Sequence, residues 1–391
     1  MENIISLQDC ENIIKKYSGD QIVENFQLIP LDTKLGLLGE YFKLKIKFYD
    51  KQREQKEKQF FVKTLALTEC QRKFTLDNGV AIKEEWFYSK FVEKCLINGI
   101  EIIQDCVPKC YLIQRLNKFV LSLENYQVLD AQKCLSPQEV QIALEKLAKF
   151  HASTYILEES LSKRKAYRIS NEFSEFLKES LYCTETEIAK QYIESMKTGV
   201  RTHIDLCKNV INEFDDEDIK KKIIKIIDDY PIYVKPSLKY RNVICHGDLW
   251  SANTMYKYKN KIPVDLKMVD FQMYRYNPPS SDVITFLYFC TNRKFREEHL
   301  KYCFNFYWDQ LRSVLKKYDL DVETIFSREH FFESVEYYKK FAICQASTHG
   351  HISMIDSKLL SDILFNPESV TEFMTKSRSD IMEKMFEKDA L

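Results

Sequence analysis

The stretch VICHGDLWSAN, residues 243–253, decides the fold that the chain is expected to adopt. A strand-like apolar run leads into His-Gly-Asp, and Asn253 follows Asp248 by five positions. A second apolar run, residues 266–269, ends in Asp270-Phe271-Gln272. Both carboxylates therefore lie at the ends of predicted strands, and a hairpin between those strands would bring them together.

These three polar residues match what phosphoryl transfer requires. The reaction needs a base that orients the attacking hydroxyl and oxygen ligands for the magnesium ions that bridge the phosphates. Asp248 fits the base, Asp270 the principal metal ligand and Asn253 the second ligand. Taken singly, an Asp after Gly is often a turn residue and an Asn is often a cap. The joint pattern, which matches the catalytic loop and metal motif of protein kinases, favours catalysis.

The N-terminal part of the chain predicts a sheet. Alternation of apolar and lysine residues over 42–48 indicates a half-buried strand. A charged tip, residues 50–58, separates it from a second apolar stretch, residues 60–65, so the two form a predicted hairpin. Further strands are predicted at 109–113 and 118–123. Residues 1–30 predict a short helix followed by an irregular stretch.

A lysine interrupts the second apolar stretch. Lys63 is costly inside a strand unless it is paired or lies at an exposed edge. Kinases place the lysine that holds the α- and β-phosphates here, paired with a helix glutamate. A helix predicted over 81–96 offers Glu84 and Glu85, of which Glu84 is preferred. An edge lysine that faces water is the alternative.

The turn before the first hairpin strand carries Gly36 and Gly39, which would cover the phosphates. Two glycines three positions apart are equally consistent with an ordinary hairpin turn.

The second half of the chain is predicted to be helical. Ser136, Pro137 and Glu139 form a helix start with a capping box. The apolar face that follows ends at His151, for which a buried histidine bonded to a carbonyl is preferred over a catalytic one. Further helices are predicted around residues 171–182, 187–229, 295–317 and 330–348. Aromatic clusters in this half include residues 304–308 and 337–338, most of them expected in the core.

Composition excludes several classes of function. Lys+Arg and Asp+Glu both number 58, so a net charge of zero gives no electrostatic argument for nucleic acid or an anionic membrane. No run of 18 apolar residues indicates a membrane span. The twelve cysteines include no C-x-x-C pair, and the N-terminus has no signal-peptide pattern. The chain is therefore predicted to be cytoplasmic with reduced cysteines, and neither nucleic acid nor a membrane is predicted as a partner. Its oligomeric state is left open.

Six motifs together resemble the ecdysteroid kinase-like family of insects, also called CHK kinase-like. The family hallmark HGDLWxNN is similar to HGDLWSAN, and the DFQ that follows is identical. The matching segments are residues 246–253, DFQ at 270–272, PSSD at 279–282, FFVKT at 60–64, LSLENY at 121–126 and LAKFHA at 147–152. Two features depart from the family: the glycine loop is GLLGEYFK, residues 36–43, and Ala252 replaces the first Asn.

The resemblance implies a fold, ligands and further residue roles. The fold would be protein-kinase-like and α+β, with an N-terminal nucleotide-binding lobe, residues 1–125, and a mostly helical catalytic lobe, residues 126–391. ATP would place its adenine against the hinge with Mg²⁺ at the phosphates. The hinge residues would be Leu123, Glu124 through its backbone, and Asn125. Asp282 and His246 would support the catalytic loop.

The predicted activity is an ATP- and magnesium-dependent kinase of a small lipophilic alcohol such as an ecdysteroid, with the hydroxyl left unspecified. A choline- or aminoglycoside-type kinase is one alternative, and it would need acidic residues for a cationic substrate. A pseudokinase that binds nucleotide or steroid without turnover is another, which the presence of Lys63, Asp248, Asn253 and Asp270 opposes. A protein kinase is disfavoured because HRD and A-P-E are missing.

Overall fold

The fold is mixed α and β, with an antiparallel sheet in an N-terminal lobe and mostly helices in a C-terminal lobe. The protein is described here from a computed structural model. It describes residues 4–31, 39–65, 75–76, 79–114, 118–130, 133–183, 185–207, 216–352 and 366–376. The predicted α+β, kinase-like two-lobe fold is confirmed.

The N-terminal lobe is built on a five-stranded antiparallel sheet in the order β1-β2-β3-β5-β4. Its strands are β1 (Ile22–Pro30), β2 (Gly39–Tyr49), β3 (Gln55–Leu65), β4 (Cys110–Gln114) and β5 (Lys118–Leu121). The predicted hairpin is confirmed as β2 and β3. The prediction that the chain is irregular between the first helix and residue 30 was wrong, because these residues form β1, which pairs with β2. A bulge between Val23 and Asn25 shifts its register and obscures the period of two.

Helices cover this sheet. The helix α1 (Leu7–Ser18) begins at a capping box formed by Ser6 and Asp9, and it buries Ile13 and Ile14 in a core shared with β2 and β3. The predicted helix over 81–96 is confirmed, but it has three parts: α2 (Val80–Trp86), a π-helical turn at Phe87–Val92, and α3 (Glu93–Ile97). The π-turn was not indicated by the sequence, and it brings Phe87 and Phe91 into the core.

The C-terminal lobe is organised around the long helix α5. Its capping box is present as predicted, and Val140, Leu144 and Leu147 are buried. The short helix α4 (Ile103–Cys106) precedes β4. The helices of the C-terminal lobe are α5 (Pro137–Ser162), α6 (Ile169–Glu172), α7 (Glu187–Cys207), α8 (Asp216–Asp228), α9 (Tyr230–Tyr233), α10 (Pro279–Cys290), α11 (Arg293–Lys316), α12 (Val322–Ile325), α13 (Arg328–Ile352) and α14 (Pro367–Lys376).

The helix predicted over 171–182 was wrong. Only α6 and a short 3₁₀ turn, Ser174–Leu177, form there. The Glu179 carboxylate accepts the backbone N–H groups of Leu181 and Tyr182, at 2.9 and 3.2 Å. Such local side chain–backbone bonds compete with a helix. The single helix predicted over 187–229 is α7 and α8, and residues 208–215 between them lie outside the described residues.

Short strands carry the predicted catalytic segments, in a different pairing from the one expected. The strand β7 (Val243–Cys245) pairs with β10 (Arg275–Asn277), whereas β8 (Thr254–Lys259) and β9 (Ile262–Met268) form a hairpin that β6 (Gln127–Val128) joins. The hairpin predicted directly between the two Asp-bearing strands was therefore wrong. Asn260 and Lys261, with φ of 52° and 64°, make the tight turn of the β8–β9 hairpin.

Ten cysteines of the described residues are free thiols, and most of them are buried. Within the same residues, the helices are all too short or too polar to cross a membrane.

Candidate active site

Three charged side chains from three elements meet between the lobes. The Lys63 Nζ atom of β3 lies 2.7 Å from Glu84 Oε2 of α2 and 2.7 Å from Asp270 Oδ1, just after β9. The Gln272 amide donates to the same Glu84 oxygen at 3.1 Å. Burial opposes the charge of Lys63, but Asp270 and Glu84 outweigh it and raise the lysine pKa. Lys63 is therefore a charged, fully paired lysine and not an edge lysine in water.

Asp270 adopts an unusual backbone conformation. Its φ is 68°, in the left-handed region that few non-glycine residues adopt. The next residue explains how this conformation is held. Phe271 is fully buried, stacks on Phe87 of the π-turn with ring centroids 3.8 Å apart, and also contacts the His246 ring at 4.7 Å. Packing of Phe271 thus fixes the carboxylate that precedes it.

The loop after β7 is held from below by Asp282 of α10. This carboxylate accepts the backbone N–H of His246 and, at 2.9 Å, that of Gly247. His151 lies 3.1 Å from Asp282 through Nε2 and 2.7 Å from the Tyr307 hydroxyl through Nδ1. His151 is therefore a buried histidine, but the expected carbonyl partner was wrong, since a carboxylate and a phenol take that place.

His246 connects the two catalytic segments. Its Nε2 donates to the Val269 carbonyl at 2.9 Å, because a carbonyl can only accept. Its Nδ1 then accepts the backbone N–H of Asp248 at 3.3 Å. Burial lowers the pKa of His246, which favours this neutral form. The ring thus ties Asp248 to the residue immediately before Asp270.

Gly247 occupies a position that no other residue fits. Its φ is 78°, and an added Cβ would lie 2.1 Å from the Met273 carbonyl oxygen. The Gly247 carbonyl accepts a hydrogen bond from Arg275 Nη1 at 2.7 Å. The glycine thus lets the loop approach β10 closely.

Asp248 is half-buried and contacts Asn253. The Asn253 amide donates to the Asp248 carbonyl at 2.8 Å and to its carboxylate at 3.2 Å. Burial and then the charge of Asp270 raise the pKa of Asp248 to about 7, while Arg275 opposes them. Asp248, Asn253 and Asp270 are thus brought together with Lys63 beside them.

Several residues near this site were missed by sequence analysis. Burial raises the pKa of Tyr182 and Tyr192, and the charge of Asp248 adds to the rise. Arg275 and Glu179 form a buried ion pair at 2.6 Å beside the loop. One feature of the sequence indicates this pair: Arg275 lies between two tyrosines in a largely apolar run. A charge in such a run is costly unless it is paired, which is the argument that also identified Lys63.

The predicted hinge, residues 123–125, lies between β5 and β6, and Gly39 of the predicted glycine turn begins β2. Leu123 is buried, and Asn125 has a φ of 67°. The Glu124 side chain pairs with Lys58, and this pairing does not involve the Glu124 backbone that was predicted to bind adenine. Gly39 begins β2 opposite Leu65, and a Cβ there would lie 2.9 Å from the Thr64 carbonyl oxygen. Gly36 lies outside the described residues.

Comparisons with known proteins bear on this geometry. A family model described as the ecdysteroid kinase-like family matches residues 37–320. No curated protein matches the chain in sequence. Among solved structures, a Plasmodium vivax ethanolamine kinase is 12% identical, with a TM-score of 0.42 over 92% of this chain and 83% of its own. Wild-type aminoglycoside 2'-phosphotransferase-IIIa in its GDP complex is 14% identical, with a TM-score of 0.39 over 96% and 100%.

Proposed function

Because the chain belongs to the ecdysteroid kinase-like family, we propose that it transfers the γ-phosphate of ATP to a hydroxyl of a small lipophilic alcohol, such as an ecdysteroid or a related steroid or xenobiotic. The observation that carries this proposal is the joint site. Lys63 is bound to Glu84 and Asp270, and Asp248 bound to Asn253 lies within electrostatic reach of Asp270.

Asp248 is the proposed base. Its carboxylate is half-buried and oriented by Asn253. Burial raises the pKa of Asp248 above that of an ordinary carboxylate, towards the neutral range in which a base is most effective. The carboxylate orients the acceptor hydroxyl and takes its proton as the hydroxyl oxygen bonds to the γ-phosphorus. The bond from that phosphorus to the β–γ bridging oxygen breaks, and ADP leaves with this oxygen. The polar groups around Asp248 keep this geometry before the acceptor arrives.

Lys63 is the proposed phosphate ligand. It holds a permanent positive charge, fixed in direction by Glu84, where the α- and β-phosphates bind in kinases. Adenine binds the hinge formed by Leu123, the Glu124 backbone and Asn125, and Gly39 is the described glycine of the turn that covers the phosphates.

The donor set fits Mg²⁺. Asp270 and Asn253 offer a carboxylate and an amide oxygen, the hard ligands that this ion prefers. The Asn253 amide nitrogen is engaged with Asp248, which leaves its oxygen as the ligand atom. In such a site the ion neutralises the charge of the β- and γ-phosphate oxygens. The two residues would hold the ion, and Lys63 bonds one Asp270 oxygen.

The charges around Asp248 support a neutral acceptor. Asp270 and Glu84 share Lys63, and Glu179 is bound by Arg275. In this proposal Mg²⁺ takes the remaining negative charge of Asp270, so these three carboxylates have cation partners other than a substrate. Aromatic residues surround this carboxylate: Trp250 hydrogen-bonds Asp248, and Tyr182 and Tyr192 are within its electrostatic reach. Such rings suit an apolar ring system. The clusters at 304–308 and 337–338 are mostly core, with Phe304, Tyr307, Trp308 and Tyr338 buried.

An acceptor screen tests the proposal. The purified chain with ATP and Mg²⁺ is assayed for ADP release with ecdysteroids, plant phenolics, choline and aminoglycosides, each at low concentration. Faster release with a steroid or phenol, together with a phosphorylated product by mass spectrometry, is expected. Turnover of choline or an aminoglycoside alone would replace the proposed substrate class, and nucleotide binding with no turnover of any acceptor would indicate a pseudokinase.

A further inference from the structure

A buried arginine grips the backbone of the catalytic loop. Arg275 of β10 is 7% exposed. Its Nε and Nη2 atoms donate to the two oxygens of Glu179, at 2.6 and 3.4 Å. Its Nη1 atom donates to the Gly247 carbonyl at 2.7 Å. The guanidinium therefore uses one edge to bind a carboxylate and its remaining nitrogen to bind the residue before Asp248.

Both backbone polar groups of Gly247 are fixed by hydrogen bonds. The Gly247 N–H donates to Asp282 at 2.9 Å, and the Gly247 carbonyl accepts from Arg275. The residue stands at a φ of 78° with no room for a Cβ. Because the Gly247 carbonyl belongs to the peptide that leads into Asp248, its direction sets where the Asp248 side chain points. Losing the Arg275 bond removes one of the two constraints.

Stability alone does not account for this arrangement. Taking an ion pair out of water costs free energy that the attraction between the two charges only partly offsets. Apolar residues in place of a buried ion pair therefore commonly give a core that is equally stable. A second cation, Lys83, is buried nearby and donates to the Lys178 carbonyl at 2.9 Å. Burial lowers the Lys83 pKa to about 8, although Glu179 acts against that change. Two buried cations thus share one carboxylate.

The segment that carries Glu179 also contacts the helix that carries Glu84. Trp86 of α2 stacks on Phe176 and on Tyr274, with centroids 5.6 and 5.3 Å apart. The Tyr274 hydroxyl donates to the Phe176 carbonyl at 2.8 Å. The residues around Glu179 are therefore held between α2 and β10, which makes Glu179 a rigid anchor for Arg275.

We propose that Arg275, anchored by Glu179, is a positioning residue for the reaction: it fixes the Gly247 carbonyl and thereby the orientation of the Asp248 carboxylate. This inference rests on the proposed phosphotransfer function for its catalytic consequence. Its structural part, that Arg275 orders residues 246–253, can be measured without any turnover.

The variants Arg275→Gln, Glu179→Gln and Arg275→Lys test the proposal. Arg275→Gln should lower kcat for ADP release by about 10²-fold, the usual cost of a small misplacement at the reacting centre. Its KM and its affinity for a fluorescent ATP analogue should stay close to those of the parent, because Lys63 and Asp270 are untouched. Glu179→Gln should act in the same direction, and Arg275→Lys, which keeps a donor and the charge, should recover part of kcat.

Hydrogen–deuterium exchange supplies the readout that needs no activity. Peptides covering residues 246–253 should exchange faster in Arg275→Gln than in the parent. Arg241→Gln is the matched control: Arg241 also pairs with buried Glu158 at 2.8 Å, and it precedes β7 without binding Gly247. That variant should lose similar thermal stability with normal loop exchange and normal kcat.

The outcomes separate the two ideas. Unchanged loop exchange in folded Arg275→Gln, or an equal loss of kcat in Arg241→Gln, overturns the positioning role. If Arg275→Gln does not fold, Glu179→Gln and Arg275→Lys decide the matter by the same two measurements. A parent that releases no ADP with any acceptor, but whose loop still loosens in Arg275→Gln, contradicts the proposed function and leaves the positioning of the loop intact.

Discussion

Two buried charge clusters act on Asp248, and they differ in the sign of their excess charge. At the lobe interface one cation, Lys63, lies between two carboxylates, Glu84 and Asp270. Below the catalytic loop two cations, Arg275 and Lys83, share the carboxylate of Glu179. The Asp270 charge raises the pKa of Asp248, and the Arg275 charge lowers it.

The difference in net charge indicates what each cluster binds. A buried cluster with surplus negative charge is incomplete until a cation binds, as expected of a magnesium site. The cluster with surplus positive charge needs no ligand, because Gly247 and Asp248 already supply a carbonyl and a carboxylate beside it. The first cluster is therefore expected to respond to ligands, and the second to act as a fixed support.

Removing Asp270 should have the largest effect, because it takes the surplus carboxylate out of the first cluster. Asp270→Ala is expected to abolish magnesium-dependent nucleotide binding, and Asn253→Ala to weaken it less, since only a carboxylate neutralises the ion. Calorimetry with ATP, with magnesium or with chelator, measures both. Metal-free ATP should still bind the released Lys63. Unchanged magnesium dependence in Asp270→Ala would remove this residue from the metal site.

Asp248→Asn should leave both clusters intact and remove the group on which they act. Turnover is expected to fall by about 10²–10⁴, the usual contribution of a positioned base, while nucleotide affinity stays near that of the parent. Asp265→Asn is a suitable control, because Asp265 of β9 pairs with Lys146 of α5 and has no proposed role in the reaction. Parental turnover in Asp248→Asn, measured by ADP release, would exclude Asp248 as the base.

Removing Lys63 leaves the two carboxylates of the first cluster facing each other. Lys63→Met is expected to raise the KM for ATP and to lower kcat, since phosphate charge is no longer compensated. Steady-state kinetics and a thermal melt distinguish this effect from unfolding. Lys47→Met, at an exposed lysine of the neighbouring strand β2, should change neither constant. Normal kinetics in a folded Lys63→Met variant would contradict the phosphate-binding role.

The sequence predicted the first cluster far better than the second. Lys63, Asp248 and Asp270 each interrupt or end an apolar run, and a charge in such a place is visible without the fold. Glu179 lies 96 positions from Arg275, in a segment whose apolar spacing imitated a helix. Their pairing depends on how β10 and the loop before α7 pack, which no local pattern encodes.

The same limit explains the errors in the fold. Regular alternation predicted β2, and a capping box predicted α5, because each is a local signal. The strand β1 was missed because a bulge breaks its alternation, and the β8–β9 hairpin was missed because its polar turn resembled a longer loop. Tertiary contacts, which no local pattern shows, determine that β7 pairs with β10 and not with β9.

The smallest expected effect concerns Lys83 and is a dependence of stability on pH. Burial lowers its pKa from the ordinary 10.5 to about 8 in the folded state. Between these two values the unfolded chain binds more protons, so protonation of Lys83 favours unfolding. Stability contributed by this group should therefore rise as pH increases from about 8 to about 10.5.

Thermal melts of the parent and of Lys83→Met across that pH window isolate this contribution, because every other titrating group is common to both. The variant should be relatively most stable at the low-pH end, where the parent still carries a buried charge, and the gap should narrow as pH rises. Lys316→Met, at an exposed position near the end of α11, should run parallel to the parent. A parallel course for Lys83→Met as well would show that Lys83 keeps an ordinary pKa, and the second cluster would then hold its two cations without electrostatic cost.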